Sequence, residues 1–254
     1  MSSGALRGGF VAAACAGSML LAGCPADESG TSGISPEGAQ RSLNWAGYVK
    51  TGGPGTFSGA AGSWDVPEVS CDADQNSVSA TWTGVGGGTS EDPTLIQAGT
   101  SQDCFDGEAY YEAWWEAIPA PAVAAGGPLD SSYPVSAGDA MSVSVDGSDG
   151  VAWVISIHNA SRGWTFTTTV GYTAAGATAE WIEEVPITAG TGGTALPLAP
   201  FGRVRFRDIS ANGTAAGLSL SDRMVMEDID GNVIANTSAP SAAGFAVCYG
   251  PEDC

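Results

Sequence analysis

The sequence predicts an all-β protein, an antiparallel sandwich or barrel. Short runs rich in Val, Ile, Thr, Trp and Tyr recur between clusters of Gly, Pro, Asp and Ser, whereas helical periodicity is hard to find. Several runs alternate. In Val151–His158 the larger apolar residues mostly fall on odd positions, as they do in a strand that turns one face toward a core.

About a dozen strands at regular spacing account for this fold class, because antiparallel sandwiches and barrels are built from many short strands between turns. No internal repeat stands out, which disfavours a propeller. The predicted strands are 44–50, 59–66, 77–85, 95–100, 109–118, 141–145, 151–159, 163–170, 179–184, 203–209 and 223–228.

The first 40 residues are typical of an export signal and a spacer. Arg7 precedes an uncharged stretch that ends in Leu21-Ala22-Gly23-Cys24, a lipobox. We therefore expect a lipoprotein signal peptide at 1–23, a lipid on Cys24 and an exported protein held at the cell surface, in contact with a membrane through that lipid. The alternative is an ordinary signal peptide with a fortuitous cysteine. Residues 24–40 predict a flexible Gly, Ser and acidic tether, and 41–254 a single domain.

The charge balance limits the partners. The chain has 8 Lys plus Arg against 28 Asp plus Glu, a formal net charge of −20. Nucleic acid is therefore excluded as a partner. Such a surface repels itself less as carboxylates protonate, which fits an acidic environment, although a merely solubilising surface explains the composition as well.

The numbers and spacing of cysteine and histidine favour disulfides and disfavour several kinds of catalytic site. Without Cys15 and Cys24 four cysteines remain, and their even number in an exported chain favours disulfides. The preferred pairing joins Cys71 to Cys104 and Cys248 to Cys254, because each bond closes a local loop. No Cys-x-x-Cys is present and His158 is the one histidine, so zinc sites and histidine-based hydrolases are disfavoured. His158 ends a strand, where a structural role is expected.

Two strands carry unusual polar residues. In Ala179–Glu184, a period of two places Glu180 and Glu184 on one face with Ile182, so at least one carboxylate is expected to be partly buried. Gln97 is an amide inside the apolar run 95–99, and a buried amide needs partners. A carboxylate and an amide that face each other across a groove could hold a water and direct it at a carbonyl.

Several motifs, taken in order, make the chain resemble the eqolisins, a glutamic peptidase family (peptidase family G1) known from fungi and also found in bacteria. The resemblance covers roughly Ser42 to Asp228, and no single motif in it would suffice. The matching segments are Asn44-Trp45-Ala46-Gly47, Ser63-Trp64-Asp65-Val66-Pro67, Thr81-Trp82-Thr83-Gly84-Val85-Gly86, Leu95-Ile96-Gln97-Ala98-Gly99, Ala113-Trp114-Trp115-Glu116 with Pro119, Ala179-Glu180-Trp181-Ile182-Glu183-Glu184, and Phe201-Gly202.

The resemblance implies a concanavalin A-like, lectin-like sandwich of two curved antiparallel sheets and an acid-acting endopeptidase. By this resemblance Glu180 is the general base and Gln97 stabilises the oxyanion. The groove is lined by Trp45, Trp82, Trp114 and Glu116. Proteins or peptides are the expected substrates and the chain is expected to be a monomer, with no metal and no organic cofactor implied.

The chain departs from the family pattern in two places. Gly86-Gly87-Gly88 stands where fungal members have an acidic residue after the Trp-x-Gly segment, and only the short tether precedes the domain where they carry a long propeptide. Two rival functions share the fold class: a lectin-like sandwich that binds or hydrolyses glycans with Glu116 and Glu180 as paired carboxylates, and an inactive surface binding module.

Overall fold

The computed structural model describes residues 39–90, 92–127, 130–147, 151–186 and 196–254. These residues contain one short 3-10 helix, Leu220–Asp222, and no α-helix, so no helix among them could cross a membrane. The strands are β1 Gln40–Ser42, β2 Trp45–Thr51, β3 Gly59–Asp65, β4 Ala80–Gly86, β5 Leu95–Phe105, β6 Glu108–Ile118, β7 Val123–Ala124, β8 Ala140–Asp146, β9 Ala152–Asn159, β10 Trp164–Gly171, β11 Thr178–Glu184, β12 Arg203–Ala211, β13 Thr214–Ala215, β14 Arg223–Glu227, β15 Val233–Thr237 and β16 Phe245–Tyr249.

Hydrogen bonds join the strands in one order, β10-β9-β8-β3-β12-β16-β15-β14-β2-β11-β4-β5-β6-β7. The pairs are antiparallel except for β1, which lies parallel to β14. Strand β12 belongs to two sheets: Arg203–Phe206 pair with β16, whereas Arg207–Ala211 pair with β3 across a bulge. We call the strands from β16 to β7 the front sheet, and β3, β8, β9 and β10 with the second half of β12 the back sheet.

The two sheets pack face to face around the main core. Trp181 of the front sheet donates its indole N–H to the carbonyl of Ala61 in the back sheet at 2.8 Å. In the opposite direction, Trp64 of the back sheet donates to Thr100 Oγ1 at 3.1 Å. These indoles hydrogen-bond across the interface while their rings fill it, which is how a buried tryptophan satisfies its N–H. The sandwich is therefore confirmed, and the barrel was the wrong alternative.

The outer face of the front sheet, which points away from the back sheet, carries a second, separate apolar cluster. It consists of Trp45, Val49, Ala80, Trp82, Leu95, Trp114, Ala122, Ile182 and Met224. Every residue of β4 and of β11 is buried as a result. In contrast, β10 of the back sheet alternates between half-buried and exposed residues.

The predicted strands are all present, and the structure adds two longer ones that the sequence did not indicate, β15 and β16. Both disulfides have the preferred pairing, Cys71 with Cys104 and Cys248 with Cys254. The predicted signal peptide, Cys24 and the tether up to residue 38 lie outside the described residues.

Candidate active site

Strand β11 brings three glutamates into the sandwich. Glu180 and Glu184 point to the outer face of the front sheet, and Glu183 points to the main core, as the period of two predicted. All three are buried. We expected at least one partly buried carboxylate on this strand, and the structure shows three fully buried ones.

Glu180 and Gln97 lie in one row across the front sheet. In register, Glu180 is opposite Gly84 of β4, and Gly84 is opposite Gln97 of β5. Directly opposed residues share a face of a sheet, and two interstrand spacings separate the Cα atoms of Glu180 and Gln97 by roughly 10 Å. Gly84 has no side chain, so the space between the two long side chains, which we call the slot, is bounded by the backbone of β4 and the ring of Trp82.

A side chain at position 84 would close this slot. A Cβ atom added to Gly84 would lie 3.0 Å from Cβ of Gln97, 3.2 Å from the ring of Trp82 and 2.8 Å from the carbonyl oxygen of Ile96. The glycine therefore sets the spacing between carboxyl and amide. The register between β11 and β5 is what brings together two residues 83 positions apart (180 − 97 = 83).

The amide of Gln97 is held by a neighbour in the same row. Gln97 is opposite Glu116 of β6, and its Nε2 donates to Glu116 Oε2 at 2.7 Å. Its Oε1 is buried and accepts no hydrogen bond from the described residues. Because a carboxylate accepts the N–H, it fixes which end of the amide points where. The second N–H and Oε1 are left to face a ligand.

Glu180 is the least compensated carboxyl of the row. It is 0% exposed, and neither of its oxygens makes a hydrogen bond with the described residues. Burial raises its pKa well above the ordinary value of 4.5, and the charge of Asp92 raises it further. The Thr178 hydroxyl and the Gly86 N–H oppose this shift without reaching hydrogen-bond geometry. The three ion pairs among the described residues are Arg41–Glu227, Arg162–Asp139 and Arg207–Asp65, all of them elsewhere.

Three tryptophans stand beside the row on the same face. Trp82 Nε1 donates to Glu184 Oε2 at 2.8 Å, and the ring of Trp45 meets the ring of Trp82 edge-on with centroids 5.0 Å apart. The indole N–H groups of Trp45 and Trp114 are buried without an acceptor among the described residues. The face thus offers apolar walls and unused donors, a combination suited to an extended peptide with its carbonyl groups.

A sequence model of the Peptidase A4 family matches residues 43–249. The chain belongs to this family, the eqolisins. It is a glutamic endopeptidase by that membership, as the resemblance implied. The matched range contains every strand of the sandwich except β1.

Individual relatives agree with this assignment. The chain is 27% identical over 231 residues to aspergillopepsin-2 of Aspergillus niger, covering 82% of this chain and 78% of the relative. Scytalido-glutamic peptidase, solved with a transition state analog inhibitor, has the same fold with a TM-score of 0.68 at 21% identity, covering 82% of this chain and 98% of that one. Aspergilloglutamic peptidase from Aspergillus niger gives a TM-score of 0.55 at 28% identity, over 68% and 99% of the two chains.

The site of this eqolisin contains residues that the sequence did not single out. Glu184 accepts hydrogen bonds from Trp82 and, at 3.2 Å, from Asn44 Nδ2, and burial raises its pKa to about 7. Its place on the face of Glu180 was predicted, but not its partners. Asp92 is also buried near Glu180, and no periodic pattern marks it because it lies in the loop between β4 and β5.

His158 lies far from this chemistry, on the back sheet. Its Nδ1 is 3.0 Å from the carbonyl oxygen of Trp164 and 2.9 Å from Thr165 Oγ1, both on the neighbouring strand β10. These contacts fit the structural role expected for it. In the part of the chain that the structure describes, no group of three or more His, Cys, Asp or Glu side chains could hold a metal ion.

Proposed function

We propose that this peptidase cleaves peptide bonds in proteins under acidic conditions, with Glu180 as the general base and Gln97 as the group that stabilises the oxyanion. One observation carries the proposal. The buried carboxyl of Glu180 and the buried amide of Gln97 face the same slot above Gly84, and each has polar atoms that find no hydrogen-bond partner among the described residues. Buried polar atoms are seldom left unpaired, so this pair is suited to a water and a carbonyl group.

In the first step a water enters the slot between the two side chains. The carboxylate form of Glu180, which is populated once the pH approaches the raised pKa of this buried carboxyl, accepts one proton from this water while the water oxygen attacks the carbonyl carbon of the peptide bond. Gln97 Oε1, which has no donor of its own, is free to accept the other water hydrogen and orient the attack. The carbonyl π bond breaks, and its electron pair moves onto oxygen.

The resulting oxyanion needs a donor at a fixed place. The second N–H of Gln97 Nε2 can supply it, because the first is bound to Glu116 Oε2. A donor whose orientation is already set stabilises a developing charge without reorganisation. Glu116 thus orients Gln97, and this contact gives it a more specific role than that of a groove-lining residue.

In the second step the carbon–nitrogen bond breaks. Glu180 gives the proton that it took from water to the leaving nitrogen, which departs as an amine. The other product is a carboxylic acid, and Glu180 returns to its ionised form. No further proton donor is needed.

The same row argues against the glycosidase alternative. Paired glycosidase carboxyl groups lie about 5 to 9.5 Å apart with the sugar between them. Here Gln97 stands between Glu180 and Glu116 in the row, and it is bonded to Glu116. The space that a scissile glycosidic bond would need is taken by the amide.

The test is proteolysis of a denatured protein by the purified domain, followed between pH 2 and 7. We expect cleavage at acidic pH that Glu180→Gln and Gln97→Ala each abolish. Glu108→Gln is the matched control, since it makes the same change at an exposed position of β6. Cleavage that survives Glu180→Gln, or glycan hydrolysis that survives Gln97→Ala, would contradict the mechanism.

We also propose that a lipid on Cys24 holds the enzyme at the cell surface, on the strength of Leu21-Ala22-Gly23-Cys24. Full-length protein should then partition into membranes and be extracted by detergent, and Cys24→Ala should release it. Equal partitioning of both forms would exclude the anchor and leave the active-site proposal intact.

A further inference from the structure

Asp92 is a further buried carboxyl near Glu180, outside the row itself. It is 4% exposed, although it lies in a loop. Its Oδ1 accepts hydrogen bonds from the backbone N–H of Thr94 at 2.9 Å and from the Thr94 hydroxyl. Its Oδ2 is buried and meets no donor among the described residues. One oxygen therefore anchors the side chain, and the other has no structural partner.

The unpartnered oxygen lies by the turn that also covers Glu180. A Cβ atom added to Gly86 would lie 3.3 Å from Asp92 Oδ2, and one added to Gly88 would lie 3.0 Å from Glu180 Oε1. The two carboxyl groups thus contact the same three-glycine turn, Gly86 to Gly88. Neither forms an ion pair within the part of the chain that the structure describes.

The turn explains why the acid comes from position 92. Gly86 has φ +97°, and a Cβ there would lie 2.2 Å from the carbonyl oxygen of Thr94. A side chain at 86 is excluded by this backbone. The acidic residue that fungal members have after the Trp-x-Gly segment is absent from this chain, and the loop returns a carboxyl to the turn six residues later (92 − 86 = 6).

We propose that Asp92 is a positioning residue for the reaction, whose carboxylate acts through Glu180 across the glycine turn and favours transfer of the water proton onto Glu180. This inference rests on the proposed function. Like charges held close in a dry site make each carboxylate a better proton acceptor. Glu180 must take a proton from water and keep it until the amine leaves. A nearby negative charge on Asp92 helps it to do so.

The other titratable groups at this end of the sheet do not supply this charge. Tyr172 donates its hydroxyl to the carbonyl of Ile118 and accepts the N–H of Leu95, both at 2.8 Å, and burial raises its pKa, so it stays neutral. Glu116 accepts the amide N–H of Gln97. Among the described residues, Asp92 is the carboxyl whose charge raises the pKa of Glu180, in addition to burial.

The experiment compares kcat and kcat/KM across pH for the wild-type enzyme and Asp92→Asn. Asparagine keeps the shape and both hydrogen bonds from Thr94 but removes the charge. We expect the acid limb of the profile, where Glu180 ionises, to move about one pH unit lower, with a several-fold smaller kcat on the plateau. A variant that loses activity while its acid limb stays in place would show a merely structural role and overturn the inference.

Asp103→Asn is the matched control. It makes the same change to a half-buried aspartate on the outer face of β5, but about 20 Å along the strand from Gln97. Its profile should overlay that of the wild type.

Should Asp92→Asn fail to fold, Thr94→Val replaces it. This change removes the hydroxyl that donates to Asp92 Oδ1 and accepts the N–H of Ala175. The carboxylate of Asp92 loses one donor, so the acid limb should move in the same direction by a smaller amount; a limb that does not move overturns the inference. If the wild-type enzyme cleaves no protein at any pH, the proposed function itself is wrong. That outcome differs from an active enzyme whose pH profile does not change when residue 92 is replaced, which contradicts only the inference about Asp92.

Discussion

Strands β11 and β10 belong to the same continuous order of hydrogen-bonded strands, yet they differ in their exposure to solvent. Strand β10 exposes Thr165, Thr167 and Thr169 on one face and half-buries Trp164 and Phe166 on the other. Strand β11 is buried along its whole length, although it carries three glutamates. The polar residues of β10 lie on the solvent side of the back sheet, whereas the glutamates of β11 are buried in the front sheet.

The difference shows where folding and function diverge. A buried carboxyl without a cation destabilises a fold unless it is neutral or well hydrogen-bonded. Glu183 and Glu184 have such bonds, from Thr81 at 2.6 Å and Trp82 at 2.8 Å, whereas Glu180 receives none from the residues that the structure describes. The burial of Glu180 without hydrogen bonds from the described residues lowers stability and is not explained by packing. This cost indicates that Glu180 serves the chemistry of the site.

The largest effect should come from Glu180→Gln. We expect kcat/KM to fall by about a thousandfold or more, because the general base is removed. Stability at neutral pH should hold or rise, since a buried carboxyl without hydrogen bonds is replaced by an uncharged amide. Activity assays paired with urea unfolding at pH 7 measure both, and a strong loss of stability would assign Glu180 to the fold.

The next effect should follow from Glu116→Ala, which frees the amide of Gln97. We expect kcat to fall roughly ten- to hundredfold, as for a misplaced oxyanion donor, with a smaller change in KM. Glu116→Gln can still accept the N–H and should recover part of the rate. A change confined to KM would return Glu116 to the groove-lining role that the sequence suggested.

Stability should depend on pH through β11. Burial raises the pKa of Glu183 to about 8 and that of Glu184 to about 7, from the ordinary value of 4.5. Between pH 4.5 and the folded-state pKa of each acid, the folded protein keeps a proton that the unfolded chain has lost. The free energy of unfolding is therefore greatest below about pH 4.5. Above that pH it falls by about 1.4 kcal/mol per pH unit for each acid.

Urea unfolding of the domain at pH 4, 6 and 8 measures this slope. Glu183→Gln keeps a side chain that can bond to Thr81 and Gln102 but cannot ionise, so its stability should vary less with pH than that of the wild type. Equal slopes in the two proteins would place the pKa of Glu183 near that of an ordinary glutamate.

The smallest effect belongs to the back sheet. Thr167→Val on the exposed face of β10 should change the free energy of unfolding by no more than about 0.5 kcal/mol and leave kcat/KM unchanged. A loss of activity would mean that the outer face of the back sheet takes part in function, and the contrast between the two sheets would no longer hold.

Sequence patterns predicted most strands because alternation and turn residues are local signals. Strand β15, Val233–Thr237, was missed because its Ala, Asn and Thr follow the hydrophobic pair without a clear alternation. The face that Glu180 shares with Glu184 was also predictable, since it needs only a period of two.

The pairing of Glu180 with Gln97 could not be derived from local patterns. It depends on the register between β11, β4 and β5, which no local signal fixes, and only the resemblance to a family joined the two residues. Asp92 was beyond reach for another reason: its burial depends on how a loop folds back over a turn of three glycines.

The position of β11 in the ladder has a consequence for the order of folding. This strand inserts between β2 and β4, which are far earlier in the chain, and it carries the proposed base. Until residues 178–184 have been synthesised and docked, Gln97 and its partner Glu116 face Gly84 without Glu180 on the other side. An emerging chain of this enzyme should therefore be unable to cut itself or its neighbours while its amino-terminal strands are still assembling.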